Sequence, residues 1–177
     1  MNSNLTEMMK SGKFFSGILL FFLLDGYAQA RNFSELALND ILLTEENEKV
    51  PFRTILDENQ GRTIFLDIWA SWCKDCVVGM PKVRKLKEEY PRVSFVYISL
   101  DRNEADWKKG IQRFGIGDGQ HYWATKGWKS DLFNDLDLDW IPRYMILDGS
   151  GNIALYRAIK ADDKKIINYL KNEQDEK

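Results

Sequence analysis

The sequence predicts a three-layer α/β sandwich built on a mixed β-sheet, formed as one domain over residues 31–177. Three observations predict it. Thr63–Ala70 and Val93–Leu100 are apolar runs of strand length on either side of a stretch with helical periodicity, the pattern of parallel strands joined by a crossover helix. Asp148-Gly149-Ser150-Gly151 separates two further apolar segments and marks a β-hairpin, which adds antiparallel strands. Ala161–Asn172 places Ile166, Ile167 and Leu170 at helical spacing and closes the domain with a helix.

The elements follow in chain order. Arg31–Asp40 reads as a loosely held lead-in. Ile41–Leu43 and Val50–Leu56 are short apolar pieces split by the charged segment Glu45–Lys49, and Asn59-Gln60-Gly61 is a turn signal. Thr63–Ala70 (TIFLDIWA) is interrupted only by Asp67 and has the β-branched and aromatic content of a buried central strand. Lys74–Tyr90 carries Val77, Met80, Val83 and Leu86 at three-residue steps, with Pro81 expected to kink the helix and Pro91 to stop it. Val93–Leu100 is the next internal strand. Glu104–Phe114 is an amphipathic helix with Trp107, Ile111 and Phe114 on one face. A glycine-rich loop at Gly115–Gly119 and a short helix within Gly127–Leu136 lead to Trp140-Ile141-Pro142. The strands Arg143–Leu147 and Asn152–Arg157 form the hairpin, and the tail Glu173–Lys177 is expected to fray.

Composition sets the broad class. With 177 residues, of which 44% are hydrophobic and 13% of the whole aromatic, the chain can bury a core without staples. A net charge of -2, with no basic block, excludes a nucleic-acid surface; we read the protein as a monomer.

The first thirty residues differ from the rest. Lys10 and Lys13 precede Phe14–Leu24, an apolar stretch of about eleven residues, far short of the ~20 that span a bilayer. Ala28-Gln29-Ala30 is a small-x-small cleavage site, so residues 1–30 read as a secretory signal cut after Ala30, with export to the periplasm; an uncleaved anchor or a buried helix is the alternative. The removed segment carries Glu7, Lys10, Lys13 and Asp25, which leaves the mature charge unchanged.

Cys73 and Cys76 are the only two cysteines. A Cys-x-x-Cys pair directly after an apolar strand and at a helix start reads as a dithiol/disulfide redox centre. So short a loop removes little entropy from the unfolded chain, which makes it a poor staple and favours a bond that opens and closes. At a helix N-terminus Cys73 meets free backbone N–H groups and the positive end of the dipole, both of which favour a thiolate. Cys76, one turn inward on the same face, can attack a mixed disulfide on Cys73. Asp67, a lone carboxylate in an apolar strand, is expected to have a raised pKa and to take the proton of Cys76; the alternative is an exposed strand-edge aspartate. Pro142 opens a strand, and a cis Ile141–Pro142 bond would turn the chain sharply there.

The run Leu66-Asp67-Ile68-Trp69-Ala70-Ser71-Trp72-Cys73-Lys74-Asp75-Cys76, with Pro81 downstream and Ile141-Pro142 before a hairpin, resembles the thioredoxin superfamily. The signal segment and the Trp-Ala-Ser-Trp-Cys run make it most similar to the exported TlpA/ResA-like branch. The resemblance spans about Ile41–Asn172. It implies a thioredoxin-like three-layer sandwich and an exported thiol–disulfide oxidoreductase acting on protein thiols and disulfides. It further implies Cys73 as nucleophile, Cys76 as resolving thiol, Asp67 as buried acid/base and Pro142 as a cis-proline, with the Ile141 backbone at the substrate. The Cys73–Cys76 disulfide is then the redox group, with no other cofactor and no metal, and a reducing partner at the membrane restores the dithiol. Ile141 resembles the residue of reducing members, which points to a reductase; a disulfide oxidase or isomerase would use the same site. Lys74 and Asp75 depart from the Gly-Pro of many relatives and pull the Cys73 thiol in opposite directions.

Other signals are weaker. His121, the one histidine, together with the cysteines suggests a copper-binding carrier of the same fold, although carriers of that kind space their cysteines more widely. Two cysteines and one histidine fall short of structural zinc. Asp135, Asp137 and Asp139 begin like a calcium loop, but Trp140 and Ile146 occupy the positions that need glycine and glutamate. Of six tryptophans, Trp69 reads as core, Trp72 and Trp140 as an apolar docking surface, and Trp107, Trp123 and Trp128 as core or lid packing.

Overall fold

A continuous apolar run cannot leave one face in water, so Ile64–Trp69 and Ser94–Ser99 belong in the middle of a sheet; every residue of both is buried. The structure, a computed structural model, describes residues 32–175, so the signal segment 1–30 lies outside the described residues. Its strands are β1 (Ile41–Leu43), β2 (Lys49–Pro51), β3 (Ile64–Trp69), β4 (Ser94–Ser99), β5 (Gln120–Trp123), β6 (Arg143–Leu147) and β7 (Ile153–Ala158). Its helices are α1 (Glu35–Leu38), α2 (Phe52–Glu58), α3 (Lys74–Glu89), α4 (Glu104–Phe114), α5 (Asp131–Asp135) and α6 (Lys164–Asp175). They form the expected layered α/β sandwich around one mixed sheet, in the order β2-β1-β5-β4-β3-β6-β7.

Strands β3, β4 and β5 are parallel, while β6 and β1 join them antiparallel, followed by β7 and β2 at the edges. The β3-α3-β4 and β4-α4-β5 crossovers step the same way across the sheet, so a right-handed path puts α3 and α4 on one face. Arg84 of α3 donates to the Phe114 carbonyl at the end of α4 at 2.6 Å and ties the two together. Helix α6 lies beside α3, held by the Lys82–Asp162 pair ahead of it and by the Thr63 hydroxyl donating to Glu173. Helices α1, α2 and α5 pack on one another and make the third layer.

Several expectations are corrected. The lead-in is anchored, not loose: Phe33 packs edge-on against Phe52 at 4.9 Å, and Ala37 is buried. Asp40, also buried, accepts from Lys126, from the Ser130 hydroxyl and from the Leu132 N–H, the full set of donors a buried carboxylate requires. The apolar piece Val50–Leu56 divides between the end of β2 and helix α2, which runs on to Glu58. Gln120–Trp123 forms β5, a strand absent from the sequence expectation; four residues are too few to show a period in the sequence. The tail does not fray from Glu173, because α6 continues to Asp175 and Glu173 holds Thr63. Helix α3 runs unbroken through an exposed Pro81, and its inward stripe is Cys76, Met80, Val83 and Leu86, with Val77 only partly covered.

Candidate active site

The chain leaves β3 at Trp69 and turns through Ala70-Ser71-Trp72 into α3. Asp101, just past the end of the adjacent parallel strand β4, fixes that turn. Its carboxylate accepts the Ser71 N–H at 3.0 and 3.1 Å, the Ser71 hydroxyl at 2.6 Å and the Ser99 hydroxyl at 2.8 Å. The Trp123 indole N–H of β5 donates to the Asp101 carbonyl at 2.8 Å. Sequence reasoning passed over Asp101. The available signal was a carboxylate following an apolar strand, at the carboxyl end of parallel strands where sites are built.

Cys73 is the N-cap of α3, and its sulfur accepts the Cys76 backbone N–H at 3.1 Å, taking the place that a serine or aspartate oxygen fills in an ordinary cap. The two cysteines form a disulfide with a Cα–Cα distance of 5.3 Å. Cys73 is 7% exposed and Cys76 1%, so the first is the outer thiol, as its position in the helix predicts.

The Ile141–Pro142 peptide bond is cis, and the Ile141 carbonyl oxygen lies 3.6 Å from the Cys73 sulfur. The sequence-remote Ile141 and Pro142 are therefore brought to the dithiol. Asp139 brackets this segment, pairing with Arg143 and with Arg157 at 2.6 Å each. Arg143 is fully buried and faces the Tyr156 ring at 5.8 Å. The aspartates that imitate a calcium loop thus contribute one member, Asp139, to an ion-pair clamp, a role that sequence reasoning missed.

Asp67 is fully buried, and burial holds its pKa well above the usual carboxylate range. Its register partner in β6, Tyr144, has its hydroxyl where a Cβ at Gly79 of α3 would stand. Side chains opposite one another on neighbouring strands share a face, so Asp67 lies on the face that α3 covers, beneath the helix that begins with the dithiol.

Trp72 is 52% exposed and Trp140 55%, and Val78 and Ile159 are exposed nearby. A groove of about 390 Å³ runs between Asp75, Val78, Trp140, Pro142 and Ile159. Trp69 and Trp107 are core, Trp123 stacks on Trp107, and Trp128 is exposed. His121 is buried in β5, two strands from Asp67, with its Nε2–H on the Ile116 carbonyl at 2.7 Å and its pKa lowered by burial to about 4. No three His, Cys, Asp or Glu side chains converge to hold a metal ion among the described residues.

Residues 61–153, more than half of the chain, match the family model described as thioredoxin-like. The chain belongs to the thioredoxin-like family. Asp67, the two cysteines, Asp101, Ile141 and Pro142 all lie inside the matched stretch. Among thioredoxin-like relatives, the thiol-disulfide oxidoreductase ResA of Bacillus cereus is 31% identical over 94 residues, covering 51% of this chain and 52% of that protein. The chain thus spans about half the length of the curated relatives it matches first. A thiol-disulfide oxidoreductase structure from Bacteroides fragilis superposes with a TM-score of 0.64 at 19% identity, over 82% of this chain and 99% of that one. A secreted disulfide oxidoreductase of Mycobacterium tuberculosis superposes with a TM-score of 0.60 at 14% identity, over 79% and 99% of the two chains. At these identities the two structures establish the shared thioredoxin-like fold.

Proposed function

We propose that the protein is an exported thiol–disulfide oxidoreductase that reduces disulfides of other proteins through Cys73 and Cys76. One observation carries the reading: the Cys73 sulfur caps α3, receives the Cys76 N–H at 3.1 Å and adjoins the Ile141 carbonyl at 3.6 Å, beside a groove that combines Val78, Trp140 and Ile159 with charged side chains. The name of the Bacillus cereus relative supports the chemistry. The Mycobacterium tuberculosis structure, named as secreted, and the signal pattern in residues 1–30 support export.

In the reduced protein, the Cys73 thiolate attacks one sulfur of a substrate disulfide. A mixed disulfide forms and the second substrate thiolate leaves. Asp67 takes the proton of Cys76, whose thiolate attacks the Cys73 sulfur. The Cys73–Cys76 disulfide closes, and the first substrate thiolate departs and is protonated. Two electrons have passed from the dithiol to the substrate. The protein needs no cofactor beyond this disulfide, and a dithiol donor at the membrane reopens it. Trp72, Trp140 and the Ile141 backbone receive an extended segment of the substrate along the groove. Ile141 before Pro142 favours the reducing direction over an oxidase or isomerase.

The direction is tested by supplying both half-reactions. Reduced protein mixed with a disulfide-bonded protein releases substrate thiols stoichiometrically, while oxidised protein mixed with a reduced, unfolded protein forms few disulfides. The reverse pattern overturns the reductase reading.

A further inference from the structure

Both carboxylate oxygens of Asp67 lack a hydrogen-bond partner among the described residues. Its register partners are Tyr97 on β4 and Tyr144 on β6, and Tyr97 in turn stands opposite His121 on β5, with the two rings stacked at 4.7 Å. Four titratable side chains, Tyr144, Asp67, Tyr97 and His121, therefore form a row across four strands on the face under α3. The hydroxyls of both tyrosines are buried and equally without partners among the described residues.

Two glycines make room for these rings. The Tyr144 hydroxyl occupies the space of a Cβ at Gly79, three residues past Cys76 on the same helix, and the Tyr97 ring occupies that of a Cβ at Gly119. Burial, and then the proximity of Asp67, raises the pKa of both hydroxyls, so each keeps its proton at any working pH.

A base must be ionised before it can take a proton, and a carboxylate in a dry site ionises only when donors reach it. The charged groups around the row are engaged. Arg84 donates to the Phe114 carbonyl, Lys87 pairs with Asp118 at 2.9 Å, and Asp162 beyond Tyr144 pairs with Lys82. His121 spends its N–H on Ile116. Besides the Trp69 indole N–H, two residues along β3 and also without a partner among the described residues, the two phenols remain, one on each side of Asp67.

We propose that Tyr97 and Tyr144 are positioning residues for the resolving step: when Asp67 ionises, their hydroxyls turn to it and donate to its two oxygens. The proton moves only from the Cys76 thiol to the Asp67 carboxylate; each tyrosine keeps its own and releases the carboxyl group once that is neutral. The inference rests on Asp67 as the base of the proposed reaction.

The test uses the reduced full chain and the aromatic disulfide 5,5′-dithiobis(2-nitrobenzoate). Attack by Cys73 releases one chromophore, and resolution by Cys76 releases the second, which stopped flow separates. In the wild type the second phase has a pH limb that Asp67→Asn removes. Tyr97→Phe and Tyr144→Phe keep the rings, leave the first phase unchanged and move that limb up by about one pH unit each, the size of a charge-assisted hydrogen bond. The double variant moves it further. Carboxyl-carbon NMR of Asp67 in the oxidised protein shows the same upward shift, independent of turnover. Limbs and NMR midpoints unmoved in all three tyrosine variants, with Asp67→Asn still removing the limb, overturn the role of the tyrosines alone. A limb that survives Asp67→Asn overturns the base reading and this inference with it.

Discussion

The Cys76 backbone N–H donates to the Cys73 sulfur at 3.1 Å, and the Ile141 carbonyl oxygen lies 3.6 Å from the same sulfur. A sulfur that caps a helix is stabilised as a thiolate by the donors and dipole it faces, whereas a buried thiol one turn inward is not. Cys73 is therefore expected to react with iodoacetamide below the ordinary thiol range of about 8.5, and Cys76 only well above it. Peptide mapping of the reduced protein alkylated at pH 7 checks this; label appearing first on Cys76 contradicts it.

Asp101 holds the turn that presents Trp72 and Cys73, through three hydrogen bonds from Ser71 and one from Ser99. Asp101→Ala leaves the buried Ser99 hydroxyl and the Ser71 N–H without an acceptor. A stability loss of about 1–3 kcal/mol is expected in urea unfolding, with a larger proportional loss of disulfide-reducing activity because the turn positions Cys73. Asp101→Asn keeps one acceptor and recovers part of both.

Asp67 makes stability depend on pH in a direction opposite to that of most carboxylates. Its folded pKa is raised above an unfolded value of about 3.9. From about pH 4 up to the folded pKa, the native state holds a proton that the unfolded chain has lost, so stability falls as pH rises, by up to about 1.4 kcal/mol per pH unit. Asp67→Asn removes this dependence, and the variant gains on the wild type between pH 4 and pH 7. Urea midpoints for both proteins at the two pH values measure it; a constant difference refutes the buried, donor-poor environment.

Trp72, next to Cys73 in the chain, and Trp140, next to Ile141, expose large apolar faces. Exposed aromatics at the centre of a contact anchor protein partners. Trp140→Ala is expected to raise KM for a disulfide-bonded protein several-fold while leaving the rate with a small aromatic disulfide unchanged, since only the protein reaches the groove. Equal losses with both substrates would point instead to a collapse of the Ile141–Pro142 segment.

Much of this was legible in the sequence where residues act locally. Helix α4 is bounded as read, Glu104–Phe114, because Asn103 caps its start and Gly115, at φ 62°, ends it in the left-handed region. The dithiol, its helix start and the strand carrying Asp67 were legible for the same reason. What the sequence hid depends on strand order. Asp101 reaches Ser71 only because β4 lies beside β3, and Tyr97 and Tyr144 flank Asp67 only because β4 and β6 take the two sides of β3. Arg143 reads as an ordinary strand residue in the sequence, and only the fold shows Asp139 pairing with it and with Arg157. Lys74 and Asp75, which blocked a reading of redox poise, are both exposed, where solvent screens their opposed effects on Cys73.

The central claim is that Cys73 attacks and Cys76 resolves. Reduced Cys76→Ala and Cys73→Ala proteins are incubated with a disulfide-bonded protein, quenched with acid and weighed by mass spectrometry. The account predicts a stable mixed disulfide through Cys73 in the first and essentially none in the second. An adduct formed only through Cys76, or none in either variant, would contradict it.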